Sequence, residues 1–379
     1  MFRARALLLA WAAAVLAACS RPAPPPATLA VIAPLTGTLA ADGRGLERAV
    51  RLAVEEARAA GTLPRPVKVA VYDDAADPDQ AADAARRAAD DPSVFAVIGP
   101  LTSGCAIAAA RVLGPASLPM ITPSATAPDL TLQQLRPEWR GERVVFRLPP
   151  SDAVQGEADA KYARRRLGLA RMAVLHDGTA YGLGLAESFL HAFVARGGEV
   201  PLFARIQGGS PDQSAPAATL ARLAPDGVFY GGVYTDAGRL LAQARAAGFA
   251  GVFMSGDGAK SDDFFKYAGA AADGAYLSVS GVPLELLPSA ADFVARYRAR
   301  WGGDAPRTFD HYAYAAADIA LEALRRTGGD RKAAVEEIRS RRHDEMMGTF
   351  IFDAKGDSLK SLITMMKADA RRKAFVPAY

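Results

Sequence analysis

Two short apolar runs, VFAVI at 94–98 and LPMI at 118–121, bracket an alanine-rich segment at 106–112, and this spacing confines the chain to few folds. Each run is bounded by Gly or Pro, as strands buried in a parallel sheet are. Parallel neighbours need a crossover, and the Ala-rich segment is helix-forming sequence in the position of one. Each run opens into a loop of small hydroxylated residues: Leu101-Thr102-Ser103-Gly104 after the first, Thr122-Pro123-Ser124-Ala125-Thr126 after the second. Ligands of open α/β sheets sit beyond the carboxyl ends of strands, where such loops supply hydroxyls, backbone N–H groups and a helix N-terminus suited to a carboxylate. Taken alone, the same residues serve equally well as caps and turn formers.

The alternation continues along the chain. Strands are expected at 28–34, 67–72, 143–150, 171–176, 199–206, 227–230, 252–255 and 274–280. Helices are expected at 46–60, 79–89, 152–167, 183–195, 214–223, 236–247, 290–301, 312–325 and 332–341, with a glycine-bearing loop at 42–45. Residues 347–352 and 359–366 read as the arms of a hairpin about 353–357. Strand–helix alternation of this kind implies doubly wound parallel sheets. A length of 379 residues suits two such lobes. No Gly-x-Gly-x-x-Gly follows a strand, and no phosphate-binding Gly-x-x-x-x-Gly-Lys, nucleophile elbow or metal-ligand spacing occurs. Neither a cofactor nor a metal is expected, and the pattern is not that of an enzyme. Asp73-Asp74 reads as a strand-end polar turn, and His176 and His311 as hydrogen-bonded structural histidines.

The first 20 residues, MFRARALLLAWAAAVLAACS, place two arginines before an apolar run at 6–18 and end in small residues, the anatomy of a secretory signal. The run is short for a membrane span, and the Pro-rich segment 21–27 behind it reads as an extended tether. Leu16-Ala17-Ala18-Cys19 resembles the bacterial lipobox. That resemblance implies removal of 1–18, lipidation of Cys19, and a protein held in the periplasm or cell envelope by its lipid alone. Ser20 after the Cys then permits sorting to the outer membrane. Loss of Arg3 and Arg5 with the leader lowers the net charge from +4 to +2, and the remaining Arg residues are spread out, so no nucleic-acid partner is expected. Cys105 is left without a disulfide partner and reads as a small apolar residue at the start of the crossover helix.

A set of motifs runs in order through residues 28–366: Tyr72-Asp73-Asp74 with Asp77-Pro78; Val97-Ile98-Gly99-Pro100; Met120-Ile121-Thr122-Pro123 with Ala125-Thr126-Ala127-Pro128; His176-Asp177 with Tyr181-Gly182; Tyr230-Gly231-Gly232; and Gln243-Ala244-Arg245-Ala246-Ala247-Gly248. In these the chain resembles the periplasmic branched-chain amino acid binding proteins, the solute-binding subunits of ABC importers. The resemblance implies a type I periplasmic-binding fold with two doubly wound lobes, 28–146 plus 281–346 and 147–280 plus 347–379, joined by a three-segment hinge. It implies an amino acid held in the cleft by hinge closure, ABC permease subunits in the inner membrane as partners, and a monomer. Carried over by position, Ser103 and Thr126 would hold the α-carboxylate. The Ser124 carbonyl, the Thr126 hydroxyl and the Asp257 carboxylate would receive the α-ammonium, and Tyr181 would close over the ligand, with Leu101 and Ala125 in the same loops. Asp257 stands where the family carries Glu, one methylene longer.

Three departures from the family stand out. Asp42 and Val233 stand where leucine binders carry tyrosines, and Ala76 and Thr102 replace two cysteines that some relatives join. Tyr234, next to Val233, is expected to point elsewhere if strand alternation continues to it. These departures imply an α-amino-acid head with a tail other than plain leucine. The same fold also occurs in lipid-anchored regulators that sense small molecules or activate cell-wall enzymes, an alternative from a different functional class.

Overall fold

The computed structural model describes residues 25–378, so the leader and Cys19 lie outside the described residues. The first sheet contains β1 (Ala27–Ala33), β2 (Val67–Asp73), β3 (Val94–Ile98), β4 (Met120–Thr122) and β5 (Val145–Arg147), all parallel, in the order β2-β1-β3-β4-β5. β1, β3, β4 and β5 are buried over their whole length, as strands covered on both faces must be. β2 carries the exposed Lys68 and takes the edge. The connecting helices are α1 (Ala40–Ala59), α2 (Pro78–Asp90) and α3 (Ser103–Leu113). Asp77 caps α2 by accepting from the Asp79 and Gln80 amides, with Pro78 at the first helical position, where its missing N–H costs nothing. Cys105 is a free, fully buried thiol in the opening turn of α3, as expected.

After β5 the chain leaves for a second sheet through α4 (Asp152–Arg165), β6 (Arg171–His176), α5 (Ala180–Val194), β7 (Glu199–Arg205), α6 (Ser214–Leu223), β8 (Gly227–Gly231), α7 (Tyr234–Ala246), β9 (Val252–Ser255) and β10 (Tyr276–Ser280). Helices α8 (Ala291–Arg300), α9 (Asp310–Thr327) and α10 (Arg331–Ser340) follow, and α9 packs against α1 of the first lobe. The hairpin β11 (His343–Glu345) and β12 (Gly348–Phe350) precedes β13 (Ile363–Asp369) and β14 (Ala374–Pro377), which extend the second sheet antiparallel to the order β14-β13-β10-β9-β8-β6-β7.

Two sequence expectations are corrected. The glycines at 42–45 do not make a loop; they lie in the first turns of α1. A Cβ on Gly43 would sit 1.8 Å from the Pro34 carbonyl oxygen, and one on Gly45 2.5 Å from the Asp310 carboxylate. They mark close backbone approach, so α1 begins where a loop was expected and carries Asp42 on its opening turn. The turn at 353–357 exists, and its arms pair only beside it, through the Phe352–Ser358 bridge and the Leu359 amide on the Ile351 carbonyl, before they part. β12 pairs with β11, whereas β13 pairs with β10 and β14.

That turn instead joins two passages between the sheets. Arg147, at the end of β5, is 1% exposed and donates to Asp357 through Nε (3.0 Å) and Nη2 (2.6 Å), and to the Thr126 and Ala127 carbonyls through Nη1 (2.8 and 2.7 Å). Its backbone N–H donates to Gly356 and its carbonyl accepts from Ser358. A buried guanidinium persists only when paired and hydrogen-bonded, and this one is both. It ties the passage after β5, the 351–362 passage and the hydroxyl loop after β4 into one unit.

Candidate functional site

A cavity of about 620 Å³ lies at the carboxyl ends of the strands of both sheets. The first lobe contributes Thr38, Leu39 and Asp42 before and within α1, and Leu101, Ser103 and Ser124 after β3 and β4. The second contributes Asp177 and Tyr181 after β6, Val233, Tyr234 and Asp236 after β8, and Asp257, Lys260 and Ser261 after β9. This is the position that parallel-sheet geometry assigns to a ligand, and the size is that of a small-molecule site.

One end of the cavity is organised by the loops after β3 and β4, which are adjacent strands with Val97 opposite Met120 and Ile98 opposite Ile121. The Ser124 hydroxyl donates to the Leu101 carbonyl (2.7 Å), and the Thr122 hydroxyl to that of Pro100 (3.0 Å). Ser103 Oγ accepts from the amides of Thr126 and Ala127, both at 3.2 Å. Its lone pairs are therefore occupied, and its proton is the part available to an acceptor in the cavity. Ser103 is the first residue of α3, so unpaired N–H groups and the positive helix end point the same way. Ala125 and Thr126 are buried but are not among the residues that line the cavity. The Thr126 hydroxyl has no hydrogen-bond partner, and its carbonyl accepts from the Asp152 amide at the start of α4.

Facing this end from the second lobe, Asp257 is 2% exposed. Its Oδ1 accepts from the Tyr181 hydroxyl (2.9 Å) and its Oδ2 from the Ser280 hydroxyl (2.8 Å); among the described residues it has no ion-pair partner. The Tyr181 oxygen also accepts from the Gly258 amide (2.9 Å). A Cβ on Gly258 would lie 2.6 Å from the Tyr181 ring, so glycine at that position is what lets the ring lie against the loop. Burial holds the Asp257 carboxyl above its ordinary range, against the pull of the Ser280 and Tyr181 hydrogen bonds. Burial, then the Asp257 charge, pushes the Tyr181 hydroxyl well above its ordinary value. Two further carboxyls stand behind, on one face of α4. Asp152 is pushed up to about 8 by burial and then by Asp257, and Asp159 well above its usual range by burial. Both Asp152 oxygens and Asp159 Oδ1 lack partners, which suits protonated, neutral carboxyls.

The other end of the cavity is different in kind. Asp42 Oδ1 accepts from Arg307 Nε (2.6 Å), and its Oδ2 from the Tyr234 hydroxyl (3.2 Å). Tyr234 corrects the expectation drawn from strand alternation. β8 stops at Gly231, Val233 is the residue before α7, and Tyr234 opens the helix. The period changes from two to 3.6 at that point, so Val233 and Tyr234 both reach the cavity. Arg307, Asp263, Lys260 and Ser261 were not singled out from sequence. The one available signal was Asp42 itself, since an acid in an apolar cleft needs a cation somewhere.

The other acids and histidines singled out from the sequence are structural. Asp73 and Asp74 accept from the Ala75 and Ala76 amides in the expected strand-end turn. His176 accepts from the Gly178 amide and stacks on Phe203. His311 corrects the expectation of a hydrogen-bonded histidine: neither ring nitrogen has a partner, and burial lowers its pKa to about 3, keeping it neutral beside the Tyr312 ring. No cluster of His, Cys, Asp or Glu among the described residues could hold a metal ion, and no described helix is long and apolar enough to cross a membrane.

Two α/β lobes with a cleft between their strand ends have the architecture of a bilobal solute-binding protein, and the family that the chain matches consists of substrate-binding proteins, not enzymes. Residues 26–373 match the model of the family described as periplasmic binding protein, and the chain belongs to that family, in its branched-chain amino acid branch. It is 32% identical over 338 residues to the Leu/Ile/Val-binding protein homolog 2 of Brucella abortus, covering 88% of each chain. Among solved structures it is similar to a leucine binding protein of Thermotoga maritima, with a TM-score of 0.83 and 29% identity over 93% of this chain and 98% of that one. A branched-chain amino acid transporter substrate binding protein of Streptococcus pneumoniae, solved with isoleucine, gives 0.82 and 25% over 93% and 98%. Members of this family work outside the cytoplasm.

Proposed function

We propose that the protein binds a free amino acid in the cleft by closure of the two lobes about the hinge passages, and delivers it to an ABC permease in the inner membrane. The observation that carries this reading is Asp257: a buried carboxylate on the cavity wall whose partners, hydroxyls and amides, are all neutral. Burying such a group without a cation is costly, and an α-ammonium supplies one. Ser103, with a free hydroxyl proton at the positive end of α3, receives the α-carboxylate; Ser124 and Tyr181 bound the head on either side. Thr126 acts from behind, its amide and that of Ala127 holding Ser103, while the Ala125 amide is tied to Thr122. The paired Asp42 and the presence of Val233 suit a tail other than plain leucine.

The chain is exported, cleaved after residue 18 and anchored through lipid on Cys19, and it acts as a monomer. Denaturing the purified mature protein and identifying the released small molecule by mass spectrometry tests the ligand. An amino acid with calorimetric affinity in the micromolar range or tighter is expected. Recovery of a ligand with no α-ammonium, such as an aromatic acid, would remove the role given to Asp257. Cys19→Ala is expected to move the protein from the membrane fraction to the soluble one.

A further inference from the structure

The cluster around Asp42 spans both lobes, mostly through side chains. Arg307 sits in the loop before α9 and donates from Nε to Asp42, then from Nη2 to Ser261 Oγ (3.3 Å) and Asp263 Oδ2 (3.1 Å) beyond β9. Tyr234, from the second lobe, reaches back to Asp42 Oδ2 and to the Thr38 carbonyl (3.3 Å). Asp42, Tyr234 and Ser261 line the cavity, while Arg307 is not among its lining residues. Both oxygens of Asp42 thus have donors, in a wall to which Leu39, Val233 and Phe309 also contribute and where Lys260 is paired with Glu285. Without Arg307 that wall would present a carboxylate with no cation.

The tail end therefore offers neutral partners. The single Tyr234 proton is committed to Asp42 and Thr38, so its lone pairs are what remain for a ligand, and they accept. An amide or hydroxyl tail donates to them. A branched aliphatic tail leaves them unpaired, and a cationic tail finds Asp42 already neutralised by Arg307, with Asp177 held by Thr179 and Asp236 by Gly209 and Arg239. Resting on the amino-acid reading above, we propose that Arg307 is the specificity-determining positioning residue of this site: by holding Asp42 it admits amino acids with neutral, hydrogen-bond-donating tails and excludes cationic ones.

The test is calorimetry of the mature chain against L-glutamine, L-asparagine, L-threonine, L-leucine, L-lysine and L-arginine, with a thermal melt for each variant. The unaltered protein is expected to bind a member of the amide or hydroxyl group at least tenfold tighter than leucine or lysine. In Arg307→Ala, lysine or arginine should gain at least tenfold relative to that ligand. Arg307→Lys should restore the original order, and the double variant Asp42→Asn/Arg307→Ala should lose the gain. If Arg307→Ala does not fold, Asp42→Asn alone reads the same design, since the guanidinium is then short of one carboxylate and L-glutamate should rise in the ranking. A uniform loss across all ligands, or leucine as the best ligand of the unaltered protein, overturns the inference while leaving the amino-acid reading intact. No binding of any of these amino acids by a folded, ligand-stripped protein overturns both.

Discussion

The cleft contains two acids set in opposite ways. Asp257 is the more buried and meets only neutral donors, whereas Asp42 has a guanidinium and a phenol on its two oxygens. A carboxylate whose cation is part of the fold is a finished piece of wall. One left without a cation is costly until something brings the charge, and that makes it a receptor. The asymmetry separates the end of the site that binds what all amino acids share from the end that sorts them.

The largest effect that would sharpen the contrast is at Asp257. Asp257→Asn keeps an acceptor for Ser280 or Tyr181 but removes the charge. Loss of one partner from a buried charge pair costs about 2–5 kcal/mol, so calorimetry with the recovered ligand should show affinity falling by roughly 30-fold or more. Thermal stability should be unchanged or higher. A loss below about tenfold would mean that the ammonium is held elsewhere and would dissolve the distinction between the two ends.

The pH dependence should follow the same division. The Asp257 pKa is raised in the ligand-free protein by burial, and an ammonium favours the ionised form. Binding then releases a proton at pH values below the raised pKa, and affinity weakens by up to about tenfold for each further unit of acidification. The slope should vanish in Asp257→Asn and persist in Asp42→Asn. A slope that persists in Asp257→Asn would move the titrating group to Asp152 or Asp159, the other acids facing this end.

How far this contrast was legible in the sequence depends on whether a residue acts through its own strand or through a distant one. The head end was readable because β3 and β4 are neighbours and their hydroxyl loops are short, so Ser103 and Ser124 must meet. Asp257 followed from its place just past β9. Tyr234 was misread because the apolar run of β8 gives no sign of where strand geometry yields to the helix. Arg307 was invisible: its contact with Asp42 joins positions 265 residues apart, and neither lies in a periodic segment that would fix its direction. Gly43 was misread for a related reason, since a glycine that permits contact with the Pro34 backbone looks in sequence like a glycine that permits a turn.

Behind the head end, Asp152 tests whether the unpaired acids really are a burden on the fold. Its folded pKa of about 8 lies above the unfolded value of about 3.9. The folded state therefore binds more protons across that interval, and its stability falls as pH rises from about 4 to about 8. Asp152→Asn does not titrate. In urea denaturation its advantage over the unaltered chain should grow between pH 5 and pH 8 by at least about 1 kcal/mol. A constant difference would mean that Asp152 is ionised and paired throughout.

The smallest effect belongs to the tail end, and its smallness is the point. The Arg307–Asp42 pair is partly open to water, with side chains 27% and 17% exposed, and such pairs contribute about 0–1 kcal/mol. Asp42→Asn should therefore leave the melting temperature within about 3 °C of the unaltered protein, while the ranking of ligands changes. If stability fell by more than about 2 kcal/mol, the cluster would be a fastening of the lobes first and a ligand wall second. Asp42 would then belong with the Arg147–Asp357 pair at the crossing, and the sorting of tails would have to rest on Val233, Tyr234 and Phe309 alone.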